Sequence, residues 1–456
     1  MSDKDLTHQC LFDLLQTLPI TRRYWVGYSG GLDSHVLLHL LISIKDKIDP
    51  DISVVHIDHS LSHNSESWSE HCQQVCDRLD VKIHNIKIKA TCPNGESIEN
   101  WARQRRYAAI SELIGKDDIF LTAHHREDQA ETVLLQLMRG SGPRGLAGMP
   151  VIRQFDKGWL ARPLLGFTRN QILDYAKRHH LRWIDDESNI DVSYDRNYLR
   201  QVALPVLEDR WPGLSRMVSR SAGHQSEIIG LLDEIAQSDL EHGISKGNDA
   251  LDICVLKSLT NARIKNLIHY WLKKQHFPAP DSGHLKHILS DVIYSSMDSS
   301  PCLRWSGTEV RRYKTMMYAM EPLPIHDPGQ RLRWDMAKSL KLASGVLAAK
   351  KHKGDGIAME ICQDGLVEVG FRQGGECLRL SGRKHRHELK KLFQEYGVLP
   401  WYRDRIPLLF IRDKLAAVAG LWIDEEFIAG MDQVSWQINW TGAKDVLSTT
   451  GTIQNK

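Results

Sequence analysis

Up to about residue 180, two hydrophobic periods alternate along the chain. Tyr24-Trp25-Val26-Gly27-Tyr28 is a short apolar run and reads as a buried strand. Val36, Leu37, Leu38, Leu40, Leu41 and Ile44 follow at helical spacing with a wide apolar face, and Ser34 or Asp33 is placed to cap that helix. Ile52 to Asp58 reads as a second strand, Glu66 to Leu79 as a helix, and Val81 to Lys89 as a third strand. Ser97 to Ile114 reads as a helix ended by Gly115. Ile119 to Ala123 reads as a fourth strand, followed by a helix from about Glu127 to Met138. Such alternation predicts a doubly wound parallel sheet with helices on both faces, binding its ligand at the carboxyl ends of the strands.

Further along, Gly140, Gly142, Gly145 and Gly148 with Pro143 and Pro150 mark a tightly turned segment. Arg162-Pro163-Leu164-Leu165 precedes a helix whose Thr168 and Gln171 form a capping box. From about Trp211 to Tyr318 the pattern is mostly helical, and after Pro322 the composition changes again. Val367 to Phe371 and Leu408 to Ile411 read as strands around a basic helix. The 456 residues are too many for one core. The expected division is an α/β domain over 1–212, a helical middle domain over 213–325 and a small α/β domain over 326–456.

Composition changes this picture little. Hydrophobic content of 42% and charged content of 25% are those of a globular protein, and the formal net charge is only +2. A nucleic-acid partner therefore has to be argued from local patches. The start lacks a signal-peptide layout and no apolar run approaches membrane-spanning length, so a cytoplasmic protein with no membrane partner is expected. The 8 cysteines contain no Cys-x-x-Cys pair, which suggests reduced thiols. Cys72 and Cys76, four apart on a helix, read as packing residues.

The first candidate chemistry is Ser29-Gly30-Gly31-Leu32-Asp33-Ser34, between the first strand and its helix. Glycines let the backbone approach a ligand, and the first-turn N–H groups of a helix point at an anion. No Gly-Lys-Ser/Thr follows, so this is not a Walker loop, and it is not Gly-x-Gly-x-x-Gly either. The pattern resembles the pyrophosphate loop of the N-type ATP pyrophosphatases, which split ATP into AMP and pyrophosphate. The resemblance implies that Ser29, Gly30, Gly31, Leu32 and Ser34 cradle ATP phosphates, with Asp33 near Mg²⁺.

Other segments line up with one family. They are Val54-Val55-His56-Ile57-Asp58-His59; Ala102-Arg103 with Arg106-Tyr107; Thr122 to Thr132 with its His124-His125 pair; and Gly145-Leu146-Ala147-Gly148-Met149. Asp186-Glu187-Ser188-Asn189 then leads to Arg196-Asn197 and Arg200. Over about residues 22–212 the set closely resembles the tRNA(Ile)-lysidine synthetase family. It returns at Phe371 to Glu376 and at Trp401 to Asp404. The resemblance implies ATP-dependent ligation of free L-lysine to C2 of the wobble cytidine of the isoleucine tRNA with CAU anticodon, through an adenylated cytidine. Glu127 departs from that family's pattern, which usually has Asp.

The residue types suit this reaction. Charge builds on phosphate oxygens in the first step, which calls for Mg²⁺ and arginines. Asp33 and Asp128 are candidate metal or nucleotide ligands, and Arg103 and Arg106 share a helix face. His124 and His125 are candidates for contacting the nucleotide or deprotonating the lysine amine. Asp185, Asp186, Glu187 and Asp191 with Arg196 and Asn197 supply both charges needed to hold lysine. In the C-terminal segment Arg372, Arg383, Lys384 and Arg386, interleaved with aromatics, suggest tRNA backbone contact. A tRNA thiolase would rely on cysteine pairs that this chain lacks, a small-molecule adenylating amidotransferase or ligase would not need the basic aromatic C-terminal module, and intact Asp33, Asp128 and the paired arginines argue against a non-catalytic ATP-responsive RNA-binding protein. The oligomeric state stays open, a homodimer included.

Overall fold

A six-stranded sheet organises the first half of the chain. The computed structural model describes residues 5–58, 65–88, 98–185, 191–244, 249–296, 299–362, 367–442 and 446. These divide into two compact units, Met1–Leu231 and Leu232–Lys456.

In the first unit, α1 (His8–Leu15) precedes β1 (Arg23–Gly27), α2 (Leu32–Ile42), β2 (Asp51–Asp58), α3 (Ser65–Arg78) and β3 (Lys82–Lys87). There follow α4 (Ile98–Leu113), β4 (Ile119–Leu121), α5 (Arg126–Met138), α6 (Pro143–Leu146), β5 (Ile152–Phe155), β6 (Gly158–Ala161) and α7 (Arg169–Arg178). After α8 (Asp195–Tyr198), a π-helical turn over Leu199–Ala203 leads into α9 (Leu204–Arg210). The expected strands and helices of this region appear with ends shifted by a residue or two. Ser97 and Lys89, taken as element ends, lie outside the described residues.

The strand order is β3-β2-β1-β4-β6-β5, parallel except for β5 at the edge. The period-2 alternation of β1 sends Tyr24 and Val26 to one face and Trp25 to the other. One core holds Tyr24, Val26, Val54, Ile119 and Leu121 with the apolar face of α2; the other holds Trp25, Val55, Phe120 and Leu160 with Ile110 of α4. This is the expected three-layer α/β arrangement. Cys72 and Cys76 are buried in the first core, as their helix spacing suggested. Chain order reverses between β1 and β4, the place where an open α/β sheet leaves a ligand crevice.

The second unit begins inside α10 (Leu214–Gly243) and continues through β7 (Leu251–Asp252), α11 (Ile253–Ser258), α12 (Asn261–Lys274) and α13 (Ser282–His287). A π-helical turn, Ile288–Ile293, follows. The helical expectation holds this far, but β8 (Cys302–Trp305), β9 (Thr308–Tyr313) and β10 (Met316–Met320) then join β7 in an antiparallel sheet, order β7-β10-β9-β8. Charges disguise β9 in the sequence: Glu309 and Arg312 are 0% and 2% exposed. Glu309 is held by Arg304 and Arg311, and Arg312 donates to the Val292 and Ser295 carbonyls.

The C-terminal part is mainly β. In chain order it comprises β11 (Leu332–Arg333), β12 (Leu340–Leu342), β13 (Gly345–Lys353), β14 (Ile357–Ala358), β15 (Val367–Gly370), β16 (Cys377–Leu378) and β17 (His387–Glu388). Then come α14 (Leu389–Glu395), β18 (Leu408–Ile411), β19 (Lys414–Val418), β20 (Trp422–Ile423) and β21 (Val434–Trp440). The two expected strands, β15 and β18, pair directly and antiparallel, with α14 inserted between them in sequence. Among the described residues no helix is long and apolar enough to cross a membrane.

Candidate active site

The loops after β1 and β4 border the same crevice. After β1, the Tyr28 N–H continues the sheet by donating to the Val55 carbonyl at 2.9 Å. The chain then turns sharply, with Gly30 at φ +82°. A Cβ at Gly30 would stand 3.1 Å from the Cys72 Sγ and 3.4 Å from Ile184 Cδ1, so a side chain there is strained by conformation and tightly confined in space. The Ser34 hydroxyl donates to the Gly31 carbonyl at 3.0 Å and accepts from the Ser29 N–H at 3.2 Å. The N-cap of α2 is therefore Gly31, not Ser34 or Asp33 as expected, because Ser34 bonds back into the loop from the first turn. No side chain caps this helix, which leaves its first-turn N–H groups directed at the crevice.

His125 is the N-cap of α5 and the centre of the site, at 2% exposure. Its Nδ1 lies 2.9 Å from Glu127 Oε2, and its Nε2 lies 3.5 Å from Asp128 Oδ2 and 3.8 Å from Asp33 Oδ2. Its backbone N–H donates to Asp128 Oδ2 at 2.9 Å. Burial opposes charge on this ring, yet the Glu127, Asp128 and Asp33 carboxylates outweigh it and raise its pKa. The His125 ring thus stands between Asp33 of α2 and the acids of α5. Glu127 also accepts from the Arg169 N–H at 2.9 Å. Glu127 thus reaches both His125 and the start of α7.

Asp128 and Glu131 share a face of α5 and meet two arginines from beyond residue 190. Arg196 donates to Asp128 Oδ1 at 3.0 Å and to Glu131 Oε2 at 2.7 Å. Arg200 donates to Asp128 Oδ1 at 2.8 Å, to Glu131 Oε1 at 2.7 Å and to Glu131 Oε2 at 3.0 Å. Burial alone would raise the Asp128 pKa, but His125 and the two arginines hold it down to about 2. Both Asp128 oxygens accept hydrogen bonds, Oδ2 from the His125 N–H and Oδ1 from the two arginines. Asp33 differs: burial pushes its pKa up, and its Oδ1 is buried with no hydrogen-bond partner.

His124 contrasts with its neighbour. Burial pushes its pKa down to about 3, with Arg162, Arg196 and Arg103 adding to the effect and Asp128 opposing it. Its Nδ1 is 2.9 Å from the Thr122 hydroxyl. A ring this reluctant to protonate is a weak base for an amine, which favours nucleotide contact between the two uses considered. Arg103 and Arg106 are both exposed on α4, and Arg103 lies 5.8 Å from the Tyr107 ring centroid.

The stretch expected to hold lysine is only partly assembled. Asn197 Nδ2 donates to the Asp191 carbonyl at 2.9 Å. Asp185 accepts from the Trp183 indole and Asp191 from the Ser193 N–H, so Arg196 meets Asp128 and Glu131 instead of these acids. Asp186, Glu187 and also His59 lie outside the described residues. Among the C-terminal candidates, Arg372 pairs with Asp404 at 2.8 Å and Arg383 with Glu395 at 2.5 Å. Arg386 pairs with Glu426 at 3.1 Å, while Lys384 is exposed.

Sequence reasoning passed over Glu131, Arg200 and Arg162 as site residues. The first two had a signal: acids at i, i+3 and arginines at i, i+4 are complementary helix faces. Arg162, at the end of β6, looked like part of a connection. It is 2% exposed, donates to the Pro150 carbonyl at 2.8 Å, and has a buried Nε without a partner. Burial pushes its pKa down to about 10, with Arg153 and Arg103 contributing.

Three family models match this chain: a PP-loop domain over residues 7–207, a TilS substrate binding domain over 251–318 and a TilS substrate C-terminal domain over 367–440. The tRNA(Ile)-lysidine synthase of Coxiella burnetii is 38% identical over 95% of this chain and 96% of its own length. That of Photobacterium profundum is 38% identical over 93% of this chain and 98% of its own. Among solved structures, a U34-tRNA thiolase from Methanococcus maripaludis with its [4Fe-4S] cluster is 16% identical, covering 48% of this chain and 78% of that one at a TM-score of 0.42. With a crevice built from a pyrophosphate-type loop and a histidine-centred acid–arginine cluster, and with this similarity along nearly its whole length, the chain belongs to the tRNA(Ile)-lysidine synthase family.

Proposed function

We propose that the chain uses ATP to join free L-lysine to C2 of the wobble cytidine of the isoleucine tRNA with CAU anticodon, giving lysidine, AMP and pyrophosphate. The observation that carries this reading is the uncapped α2 N-terminus, with the unpartnered Asp33 oxygen, facing the Asp128–Glu131–Arg196–Arg200 cluster across one crevice. One side suits a nucleotide's phosphates and the other suits an amino acid.

Ser29, Gly30, Gly31, Leu32 and Ser34 receive the leaving pyrophosphate through backbone N–H and hydroxyl donors. Asp33 fits Mg²⁺, since its buried Oδ1 lacks a partner and the ion needs only one or two protein carboxylates; when bound, the ion offsets phosphate charge. Arg103 and Arg106 add positive charge where it builds on the α-phosphate. The cytidine C2 oxygen attacks that phosphorus and pyrophosphate departs. The lysine amine then attacks C2, the C–N bond forms, the C–O bond to AMP breaks, and the amine proton passes to solvent or phosphate. His125 holds Asp33, Glu127 and Asp128 in register, and neutral His124 contacts the nucleotide. Arg196 and Asn197 take the lysine carboxylate, while Asp128 and Glu131 hold Arg196 and Arg200 in place. Residues 1–212 carry the chemistry, 213–325 form the middle domain, and 326–456 bind tRNA through cations that include Arg372 and Lys384. The reaction suits the cytoplasm, where tRNA and ATP are found.

The test is incubation with ATP, Mg²⁺, lysine and the tRNA transcript, measuring AMP, pyrophosphate and tRNA mass. A lysine-sized mass gain with equimolar AMP is expected. Nucleotide cleavage without that gain sinks the reading.

A further inference from the structure

Arg162 is a buried cation to which the reaction has so far given no task. It stands one residue past β6, at the carboxyl end of the sheet, where Ala161 pairs with Leu121 and accepts from the Thr122 N–H at 3.0 Å. Its backbone N–H donates to the Val151 carbonyl at 2.8 Å, and its Nη1 donates to the Pro150 carbonyl at 2.8 Å. Its Nε is buried without a partner. We infer that Arg162 is a positioning residue for attack on the α-phosphate: it fixes Tyr107, and the Tyr107 ring fixes the guanidinium of Arg103. The inference rests on the ATP-dependent reading above and adds a residue to its first step.

Charge is the first argument. Around the Arg162 guanidinium, Tyr107 favours its charge, while Arg153 and Arg103 oppose it. Among the described residues no carboxylate pairs with Arg103, Arg153 or Arg162. A buried guanidinium with no counter-charge and an idle N–H costs stability. Such a departure from ordinary pairing is retained where function needs it, and here the phosphate of the substrate brings the missing negative charge. Of the three arginines that act on His124, Arg162 acts most strongly, so its charge lies beside the ring assigned to the nucleotide.

Other arginines in protected positions are compensated. Arg196 and Arg200 meet Asp128 and Glu131. Arg312, as deeply buried as Arg162, donates to the carbonyls of Lys314, Val292 and Ser295. A purely structural role for Arg162 leaves its Nε unexplained, since the fold satisfies Arg312 with backbone oxygens alone.

Geometry is the second argument. Arg103 and Tyr107 are four residues apart on α4 and share a face. The Arg103 guanidinium lies 5.8 Å from the Tyr107 ring centroid and that of Arg153 lies 5.7 Å from it, so one ring carries two cations. The ring also packs 5.4 Å from Phe155, a member of the core that holds Trp25 and Phe120. Arg103 is exposed and takes its direction from this ring. Arg162 ties the same ring to the segment after Gly148, where Gln129 holds Met149 at 2.7 and 3.0 Å. The exposed arginine of α4 is thereby referred to β6 and α5, the elements beside the crevice.

The experiment uses full-length R162Q, R162K and Y107F and reads tRNA-dependent pyrophosphate release from ATP with lysine omitted, so that the first step is seen without the second. R162Q is expected to lose about 10²-fold in kcat, with KM for ATP changed by less than about threefold. Y107F keeps the ring under Arg103 and loses the hydroxyl beside Arg162, and its kcat should fall by about tenfold at the same KM. R162K keeps the charge without the planar fork and should recover part of the loss. Thermal midpoints check that each variant is folded. A tether that only stabilises the fold lowers the midpoint and leaves kcat per folded molecule alone. Folded R162Q or Y107F with kcat within about twofold of the unaltered protein, or a loss confined to KM, overturns the inference. Should R162Q not fold, Y107F alone decides it. Lysine is then added to the unaltered protein. Pyrophosphate release without lysidine overturns the ligation reading and leaves the assignment of Arg162 to be judged on its own rates.

Discussion

Glu131→Gln should be among the most costly isosteric changes in the N-terminal unit. Glu131 is fully buried and accepts from Arg196 and Arg200 at 2.7, 2.7 and 3.0 Å. The amide keeps the volume but removes the charge, and its NH₂ turns a donor toward donors. Two guanidiniums are then left to share Asp128. Breaking a buried pair costs about 3–5 kcal/mol. The arginine side chains keep 24% and 30% of their exposure, so water recovers part of this and about 3 kcal/mol is the expected loss. For a folding unit of this size that is a fall of about 6–12 °C in the N-terminal transition, read by calorimetry or tryptophan fluorescence. The same cluster predicts an acid limb. The folded pKa of Asp128, about 2, lies below its ordinary 3.8, so its stabilisation of about 2 kcal/mol is present above about pH 4 and is lost as pH falls toward 2. A midpoint shift under about 2 °C in Glu131→Gln would refute the account of the cluster as a buried ionic clamp.

Gly30→Ala forces a left-handed backbone on a residue with a Cβ, about 1–2 kcal/mol, and pushes on Cys72. AMP release should fall by about tenfold or more while the chain stays folded; near-normal release would show that the loop tolerates a side chain. His125 has its pKa raised above 6.5, so its stabilising contribution is complete below pH 6.5 and fades as pH climbs through the raised value. His124, pushed down to about 3, should show no ring titration in NMR between about pH 8 and 5; a midpoint near 6.5 contradicts its assigned environment. Buried Cys72 and Cys76, both pushed up to about 12, should resist a thiol reagent that labels exposed Cys254 and Cys302.

The sequence by itself determined the doubly wound N-terminal sheet, since runs such as Tyr24-Trp25-Val26 and the helical spacing of Val36 to Ile44 bury apolar surface in only one regular way each. It also determined the tight turn between β1 and α2, because Ser-Gly-Gly-x-Asp-Ser acts through local backbone geometry and needs only the strand before it and the helix after it. Strand β9 escaped notice because Glu309 and Arg312 break the apolar alternation, and their burial depends on ion pairs and carbonyls supplied by other elements. Only the tertiary structure decided which charges meet which. Arg196 joins Asp128 and Glu131, and Arg383 and Arg386 pair with Glu395, Asp424 and Glu426. The physical reason is range. Hydrophobic periodicity and turn chemistry are local properties of the chain, whereas the net charge of a site depends on side chains brought together from distant segments, and a linear count cannot see which of them are already paired.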